Sequence, residues 1–226
     1  MKTLGIIGGM GPEATNQLVT KIINKFVASG QKTRPDILVA SLPINLMAET
    51  RLITDNDSGN FPTLMAKAAK RLELAGADFL IIACNSVHVF IDEVQKNVDI
   101  PVMSAIEETK KQIKLEKVGL LATTFAVKNK LFVSNKFELT VPDKNKQIKI
   151  SQMLDRLAKG KVATKSDKNM LEKVLNNFID SGIETCILGC SELQLLSEVW
   201  QEFNRKILFL DTMDILANTA VKNLLN

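Results

Sequence analysis

The sequence has little of what several classes of protein require. Its 226 residues include three cysteines and one histidine, too few for a disulfide scaffold or a tetrahedral Cys/His zinc site. The longest apolar run, FLIIAC, is far shorter than the roughly 18 to 20 residues of a membrane span. The start, MKTLGIIGGMGPE, reaches glycines and a proline before a signal-peptide core could form. We therefore expect a cytoplasmic protein in a reducing setting.

Positive charge is concentrated in one segment. The chain carries a net charge of +4, but residues 110–168 hold 15 Lys or Arg against 5 acids, so this segment carries +10 and the remainder −6. The lysines alternate with apolar residues at helix and strand spacings, and the aromatic residues there fit core positions. This pattern favours a solvated face that attracts small anions. We expect no nucleic-acid partner and no membrane partner.

Short apolar runs alternate with longer amphipathic segments along the chain. The runs predict strands at residues 3–8, 36–42, 79–84, 100–104, 117–122, 137–141, 185–190 and 207–210. Apolar residues at helical spacing predict helices between them, with buried faces formed by Phe61, Leu64, Met65, Ala68, Leu72 and Ala75 and by Leu171, Val174, Leu175, Phe178 and Ile179. Near-continuous apolar strands separated by helices indicate parallel sheets covered on both faces. The predicted fold class is α/β.

The two halves of the sequence resemble each other. KTLGIIGGM matches EKVGLLATT, and AGADFLIIACNS matches SGIETCILGCSE. These matches pair Gly5 with Gly119, Gly76 with Gly182, and Cys84 with Cys190. Three matches in the same order predict two lobes related by a pseudo-twofold axis.

The repeat sets the expected domain organisation. Each lobe is predicted to be a mostly parallel sheet flanked by helices, with the active site in the cleft between them. The first lobe covers residues 1–104 and the second covers residues 105–210. The C-terminal helix, about residues 211–226, is expected to pack back on the first lobe.

Cys84 and Cys190 each end a predicted strand. The carboxyl edge of an open α/β sheet is where such sheets bind ligands. The next residues begin a helix, whose free N–H groups favour anions and whose dipole lowers the pKa of a thiol. We therefore predict that each lobe delivers a reactive thiol to a site suited to a carboxylate. Cys186 lies inside a predicted strand and is expected to pack as a small apolar side chain.

Other uses of these motifs fit the spacing less well. Cys186 and Cys190 would lie about 13 Å apart on a strand, and His88 is the only histidine, so no metal site is expected.

The loop GIIGGMGPEAT lacks the third glycine of a dinucleotide-binding loop, which favours a backbone cradle for a small carboxylate. A disulfide between Cys84 and Cys190 requires Cα atoms within about 7 Å, closer than a substrate-holding cleft would place them.

The motifs GIIGGMGPEAT, ACNSVH and LGCSEL, in this order and spacing, resemble those of the aspartate/glutamate racemase superfamily, most closely its aspartate racemase branch. The resemblance extends along nearly the whole chain through ETRLI, IPVMSAIEET, GLLATT and LDTMD. Glutamate racemases typically have an Asp-Ser pair in the first loop and a histidine just after the second cysteine motif. Those places are occupied here by Gly-Met and by Glu192.

The resemblance implies a cofactor-independent racemase that interconverts L- and D-aspartate, uses a small amino-acid substrate and forms a homodimer. Cys84 and Cys190 would be catalytic, one removing the α-proton as a thiolate and the other returning a proton as a thiol. The resemblance assigns substrate binding to Met10, Arg51, Asn85, Ser86, Thr123, Lys159, Ser191 and Glu192. Arg51 and either Lys159 or Lys161 would hold the side-chain carboxylate of the substrate.

The chain departs from the family pattern after Thr124, where Phe125 and Ala126 replace a Gly-Thr pair. Three alternatives to an aspartate racemase therefore stay open. They are a racemase of broad amino-acid specificity that includes glutamate, a ligand-binding pseudoenzyme without turnover, and a thiol redox protein. For Arg51, an exposed charge without a role in binding is a further alternative.

Overall fold

Two four-stranded parallel sheets form the framework of the part of the chain that the structure describes. The computed structural model describes residues 1–55, 57 and 59–226. One sheet has the order β2-β1-β3-β4, and its strands are β1 (Thr3–Gly8), β2 (Asp36–Ser41), β3 (Phe79–Ile82) and β4 (Val102–Met103). The other has the order β6-β5-β7-β8, with β5 (Lys117–Leu121), β6 (Glu138–Thr140), β7 (Thr185–Leu188) and β8 (Leu208–Asp211). All eight predicted strands are present, and the α/β class is confirmed.

Helices connect the strands of both sheets. Their bounds are α1 (Pro12–Ala28), α2 (Leu46–Thr54), α3 (Phe61–Leu74), α4 (Ile91–Gln95), α5 (Ala105–Gln112), α6 (Thr124–Lys128), α7 (Lys144–Ala158), α8 (Lys165–Asp180), α9 (Ser197–Phe203) and α10 (Thr212–Leu225). Two short 3-10 helices, Ser86–Phe90 and Ser191–Leu196, follow the two paired cysteines. Among the described residues, none of the helices is both long and apolar enough to cross a membrane.

The sequence repeat corresponds to a repeat in packing. A Cβ atom at Gly5 in β1 would lie 3.3 Å from the Cβ of Leu72 in α3. A Cβ atom at Gly119 in β5 would lie 2.7 Å from the ring of Phe178 in α8. In each lobe the glycine therefore lets the equivalent helix approach the first central strand closely.

The predicted core faces of α3 and α8 are largely confirmed. Phe61, Met65 and Leu72 of α3 are buried, and so is the predicted face of α8 except Ile179. Leu64 and Ile179 are partly buried, whereas Ala75 caps the C-terminus of α3 and is exposed. Helix periodicity therefore identifies the buried face except at the last turn, where the chain leaves the helix.

The C-terminal helix α10 lies against β1 and α1. Apolar residues of all three elements form one core cluster, which includes Leu4, Leu18, Phe26, Leu216 and Ala220. Ion pairs join the same helices, with Nζ of Lys21 2.7 Å from Asp211 and Nζ of Lys25 3.1 Å from Asp214. The end of the chain thus returns to the sheet in which the chain begins.

Among the described residues, side chains of each lobe pack in the core of the other. Ile53 of α2 packs in the apolar core formed by α7, α8 and β7. Phe125 of α6 packs in the core of the first sheet, with its ring centroid 6.2 Å from that of Phe90. The lobes are therefore interlocked along the cleft that the sequence predicts.

Candidate active site

The two paired cysteines occupy equivalent places in the two lobes. Cys84 lies two residues beyond β3 and Cys190 lies two residues beyond β7, at the carboxyl ends of the central strands. Both strands end two residues earlier than predicted, because their ladders with β1 and β5 end at Ile82 and Leu188. Cys84 is partly buried, and Cys190 is 7% exposed. Negative charge on Cys84 raises the pKa of Cys190, so the thiols lie within electrostatic reach of each other.

The expectation of a lowered thiol pKa is wrong for this structure. Burial raises the pKa of Cys84 to about 12, and the charge of Glu192 raises it further, although backbone N–H groups of Val87 and Ser86 act in the opposite direction. Burial also raises the pKa of Cys190. Loss of hydration outweighs the effect of the helix N-terminus, because the segment after Cys84 is only a short 3-10 helix.

Glu192 lies directly beside the second thiol. Its Oε2 accepts hydrogen bonds from the Cys190 thiol and the Ser191 hydroxyl, both at 2.9 Å. The carboxyl group is buried, and its burial raises its pKa. The structure therefore brings together the three polar residues that the sequence assigned to the second half of the site.

The residues after the first thiol make contacts across the cleft. The hydroxyl groups of Ser86 and Thr123 lie 2.8 Å apart, and both residues are buried. Asn85 donates from Nδ2 to the hydroxyl of Thr212 at 2.7 Å, and this hydroxyl donates to the Leu188 carbonyl. The Oδ1 atom of Asn85 is buried and has no hydrogen-bond partner among the described residues. It is an acceptor oriented by its own amide and available to a ligand.

His88 supports the backbone of the first cysteine. Its Nδ1 lies 2.8 Å from the Cys84 carbonyl oxygen, and its Nε2 accepts a hydrogen bond from the Ala105 N–H at 3.1 Å. These two contacts require the neutral imidazole with the proton on Nδ1. Burial lowers the pKa of His88 to about 4, which keeps the ring neutral. His88 thus positions Cys84 without carrying charge.

Glu49 is a further buried acid, although the sequence patterns did not single it out. It is 6% exposed. Burial and then the charge of Glu192 raise the pKa of Glu49 to about 7. The sequence did contain an indication that Glu49 is buried. Leu52 and Ile53 follow it at helical spacing and lie on the same buried face of α2.

Gly11 lies against the carboxyl group of Glu192. Its φ angle of +80° lies in the left-handed region that favours glycine, and a Cβ atom built on it would collide with Oε1 of Glu192. The N–H of Gly11 also acts to lower the pKa of Glu49, against the larger effect of burial. The cradle for a small carboxylate that the glycine-rich loop indicates stays a prediction.

Arg51 and Lys159 were expected to hold the side-chain carboxylate of the substrate, but each forms an ion pair with an acidic residue of the protein. The side chain of Arg51 is 54% exposed and lies 3.5 Å from Asp57. The ammonium of Lys159 contacts Asp155 at 2.8 Å, and Lys161 is exposed in the loop that follows. Met10 is 2% exposed in the core of the first sheet. The structure does not bring Arg51 to the thiols.

Open grooves lie outside the cleft that contains the thiols. One groove of about 770 Å³ is lined by Thr185 and Leu208, which are the first residues of β7 and β8. It therefore lies at the end of the sheet opposite Cys190. Between the lobes, Phe125 packs in the core of the first sheet and the hydroxyl of Ser86 lies 2.8 Å from that of Thr123.

The fold and the site define a two-lobed α/β protein in which each lobe contributes one thiol and neighbouring acceptors to a common cleft. The family model of the Asp/Glu/hydantoin racemases matches residues 7–220. The chain belongs to this racemase family.

Two relatives by sequence illustrate the range of the family. The chain is 30% identical over 114 residues to the broad specificity amino-acid racemase RacX of Bacillus subtilis (strain 168), covering 49% of this chain and 48% of that protein. It is 27% identical over 188 residues to a glutamate racemase of Shewanella piezotolerans, covering 80% of this chain and 67% of that protein. The match to RacX thus spans about half the length of either protein.

Solved structures match over almost the full chain. An aspartate racemase homologue from Pyrococcus horikoshii is 26% identical with a TM-score of 0.79, and the match covers 100% of both chains. The aspartate racemase of Picrophilus torridus has a TM-score of 0.78 at 22% identity, covering 99% of this chain and 94% of that chain. The second likeness establishes the shared fold alone.

Proposed function

We propose that this protein is a cofactor-independent amino-acid racemase in which Cys84 and Cys190 exchange protons with the α-carbon of the substrate from opposite faces. The observation that carries this proposal is the equivalent placement of the two thiols, one at the end of the central strand of each lobe. The coupling of their ionisation supports it, since charge on Cys84 affects Cys190. Membership of the racemase family supports the reaction type.

The proposed step conserves protons. A thiolate at Cys84 takes the α-proton and becomes a thiol, while the thiol of Cys190 gives its proton to the other face of the carbon and becomes a thiolate. The reverse reaction exchanges these roles. Without a compensating charge both sulfur atoms are thiols at neutral pH, because burial raises both pKa values. The substrate ammonium supplies the positive charge that lowers the pKa of a thiol when it enters the closed cleft.

The polar groups around the thiols suit the common part of an amino acid. Glu192 accepts hydrogen bonds beside Cys190 and would receive the α-ammonium group. The backbone N–H groups of Ser86 and Val87 already stabilise negative charge at Cys84 and would face the α-carboxylate and the developing carbanion. The Oδ1 of Asn85 is an additional acceptor for the ammonium. A homodimer and a role for Met10 and Thr123 in carboxylate binding also belong to this proposal.

Two substrate choices follow from different observations. Aspartate is the substrate implied by the resemblance to the aspartate racemase branch. The outward position of Arg51 and the pairing of Lys159 with Asp155 favour the second candidate, a racemase that accepts other amino acids. The two-thiol chemistry is the same in both cases, because it involves only the α-carbon.

Proton exchange in D₂O tests the proposal. The protein is incubated without pyridoxal phosphate with L-aspartate, L-glutamate and a panel of neutral and basic L-amino acids, and loss of the α-proton signal is followed by NMR. Cys84→Ser and Cys190→Ser should each slow racemisation by about 10²- to 10⁴-fold, the range for a positioned proton-transfer group. Cys186→Ala is the matched control, because this third cysteine is buried in the core and should leave exchange unchanged.

The results of the exchange experiment distinguish a racemase from a pseudoenzyme and from a thiol redox protein. Exchange that persists in both Cys84→Ser and Cys190→Ser contradicts the paired-thiol mechanism. Amino-acid binding by calorimetry without any exchange identifies a pseudoenzyme. Reversible formation of a bridge between Cys84 and Cys190 at cytoplasmic redox potentials, again without exchange, identifies a thiol redox protein.

A further inference from the structure

We propose that Thr212, the first residue of α10, is a positioning residue of the racemase. It orients the amide of Asn85 beside the first thiol and joins this amide to the strand that leads to the second thiol. The inference rests on the proposed function and deepens it, because it names a residue that acts through its neighbours without touching the substrate. The sequence resemblance extends through LDTMD but assigns no role to Thr212.

Two hydrogen bonds place the hydroxyl of Thr212 between the halves of the site. Its Oγ1 accepts a hydrogen bond from Nδ2 of Asn85 at 2.7 Å and donates one to the carbonyl oxygen of Leu188 at 2.9 Å. Asn85 directly follows Cys84 in the first lobe. Leu188 is the last residue of β7 and lies two positions before Cys190 in the second lobe. One hydroxyl thus connects the segment after the first thiol with the strand before the second.

The direction of these bonds fixes the orientation of the Asn85 amide. A threonine hydroxyl has one proton and a carbonyl oxygen can only accept, so the proton of Thr212 is committed to Leu188. Toward Asn85 the hydroxyl therefore acts as an acceptor, and the amide presents its NH₂ group. The Oδ1 atom of Asn85 is buried and has no hydrogen-bond partner among the described residues. A backbone carbonyl of one lobe thereby determines which amide atom the other lobe leaves for a ligand.

The surroundings hold this hydroxyl in a fixed place. Thr212 is 0% exposed and Asn85 is 1% exposed, and a buried hydrogen bond of this kind is costly to leave unmade. Thr212 follows Asp211, which pairs with Leu188 in the ladder between β7 and β8 and caps α10. The ammonium of Lys21 in α1 lies 2.7 Å from the same Asp211 carboxylate. The hydroxyl therefore belongs to a frame that includes elements of both lobes.

The repeat shows that the fold does not require a hydroxyl at this place. Ser104 caps α5 as Asp211 caps α10, so Ala105 is the equivalent of Thr212 in the first half. Ala105 has no polar side-chain atom, and the helix that begins there is formed and buried at its start. The hydroxyl of Thr212 is therefore an addition to the shared unit, and it lies where the two halves of the candidate site meet.

Removal of the hydroxyl at nearly constant shape tests this role. Thr212→Val replaces the hydroxyl with a methyl group, and Thr212→Ser keeps it. Exchange and racemisation of L-aspartate, L-glutamate and a panel of neutral and basic L-amino acids are measured with the full-length protein, and kcat and KM are determined for the fastest substrate.

We expect Thr212→Val to lower kcat by about 10- to 100-fold and to change KM by less than about threefold. The reason is that small displacements of positioned groups affect the reacting geometry more than they affect substrate binding. Thr212→Ser should retain kcat within about threefold, because the serine hydroxyl can make both hydrogen bonds.

A second buried threonine provides the matched control. Thr109 is 0% exposed, and its hydroxyl donates to the Ala105 carbonyl at 2.7 Å within α5. Thr109→Val should lower the unfolding temperature, as Thr212→Val does, but should leave kcat unchanged. If Thr212→Val fails to fold, Thr212→Ala takes its place, since it removes the same hydroxyl without a methyl group against the Asn85 amide.

The results separate this inference from the proposed function. Absence of exchange with the wild-type protein and every amino acid overturns the racemase proposal, and the role of Thr212 is then rejected with it. Exchange by the wild-type protein with an unchanged kcat in Thr212→Val overturns the inference alone. The inference is also wrong if Thr212→Ser or Thr109→Val is as slow as Thr212→Val. Loss of kcat in Thr212→Val with recovery in Thr212→Ser supports both proposals.

Discussion

At the scale of single residues, burial dominates the ionisation of the site. It raises the pKa values of Cys84, Glu49 and Glu192 and lowers that of His88. In every case burial favours the neutral form, because it removes the water that stabilises charge. These groups are therefore harder to ionise than the same groups in water.

Glu49 makes the stability of the protein depend on pH. Its pKa is raised from 4.5 to about 7, so its contribution to stability is fully present below pH 4.5 and is lost as the pH rises through 7. Glu49→Gln should therefore be more stable than the parent protein at pH 8 by about 2 to 3 kcal/mol. The difference in the free energy of unfolding should close at pH 4.5. Urea unfolding at both pH values checks this, and Glu202→Gln should show no such difference.

At the scale of the secondary-structure elements, the two lobes repeat the same unit. In each, a central glycine in the first strand allows one helix to pack closely on the sheet. The N-caps of the last helices also correspond, because Ser104 caps α5 after β4 and Asp211 caps α10 after β8. The repeat therefore places equivalent sequence positions at equivalent edges, which is why the two cysteines face one cleft.

The close contact between Gly119 and Phe178 in the second lobe can be tested by substitution. Gly119→Ala would place a methyl group 2.7 Å from the ring of Phe178, and such overpacking costs about 1 to 3 kcal/mol. Thermal and urea unfolding should detect this loss. Adding Phe178→Leu should recover part of it, since the two residues are in direct contact. Strictly additive losses in the double variant would show that the contact is not the cause.

At the scale of the whole molecule, the lobes are held together by contacts across the cleft. Phe125 of the second lobe is 3% exposed in the core of the first, and Ser86 bonds Thr123 beside it. Phe125 also stands at a position where the sequence departs from the family pattern. We interpret it as a residue that holds the two lobes together beside the thiols.

Phe125→Ala should therefore open the cleft and expose the first thiol. We expect Cys84 to be alkylated faster, because hydration lowers the pKa that burial raises to about 12. Mass spectrometry of iodoacetamide-treated protein measures this rate. Phe132→Ala is the matched control, since Phe132 is fully buried within the second lobe and either change should cost about 3 to 5 kcal/mol. Equal acceleration in both variants would indicate general unfolding instead of lobe opening.

Some features of the structure could be predicted from local patterns in the sequence. The strands were predictable because continuous apolar runs of this length suit buried parallel strands, and all eight are present. The placement of Cys84 and Cys190 at the carboxyl ends of equivalent strands in the two sheets also followed from the repeat. The sign of the thiol pKa shift was not predictable, because it depends on how far the lobes close over the sulfur atoms.

By itself the sequence determined the α/β class, the duplicated lobes and the two chemically distinctive cysteines, because these depend on spacing along the chain. Only the tertiary structure placed Glu192 against Gly11 and directed Arg51 to solvent. The reason is that such contacts depend on the distance between segments far apart in sequence. Residues 11 and 192 come from the two different lobes, and no local pattern records their contact.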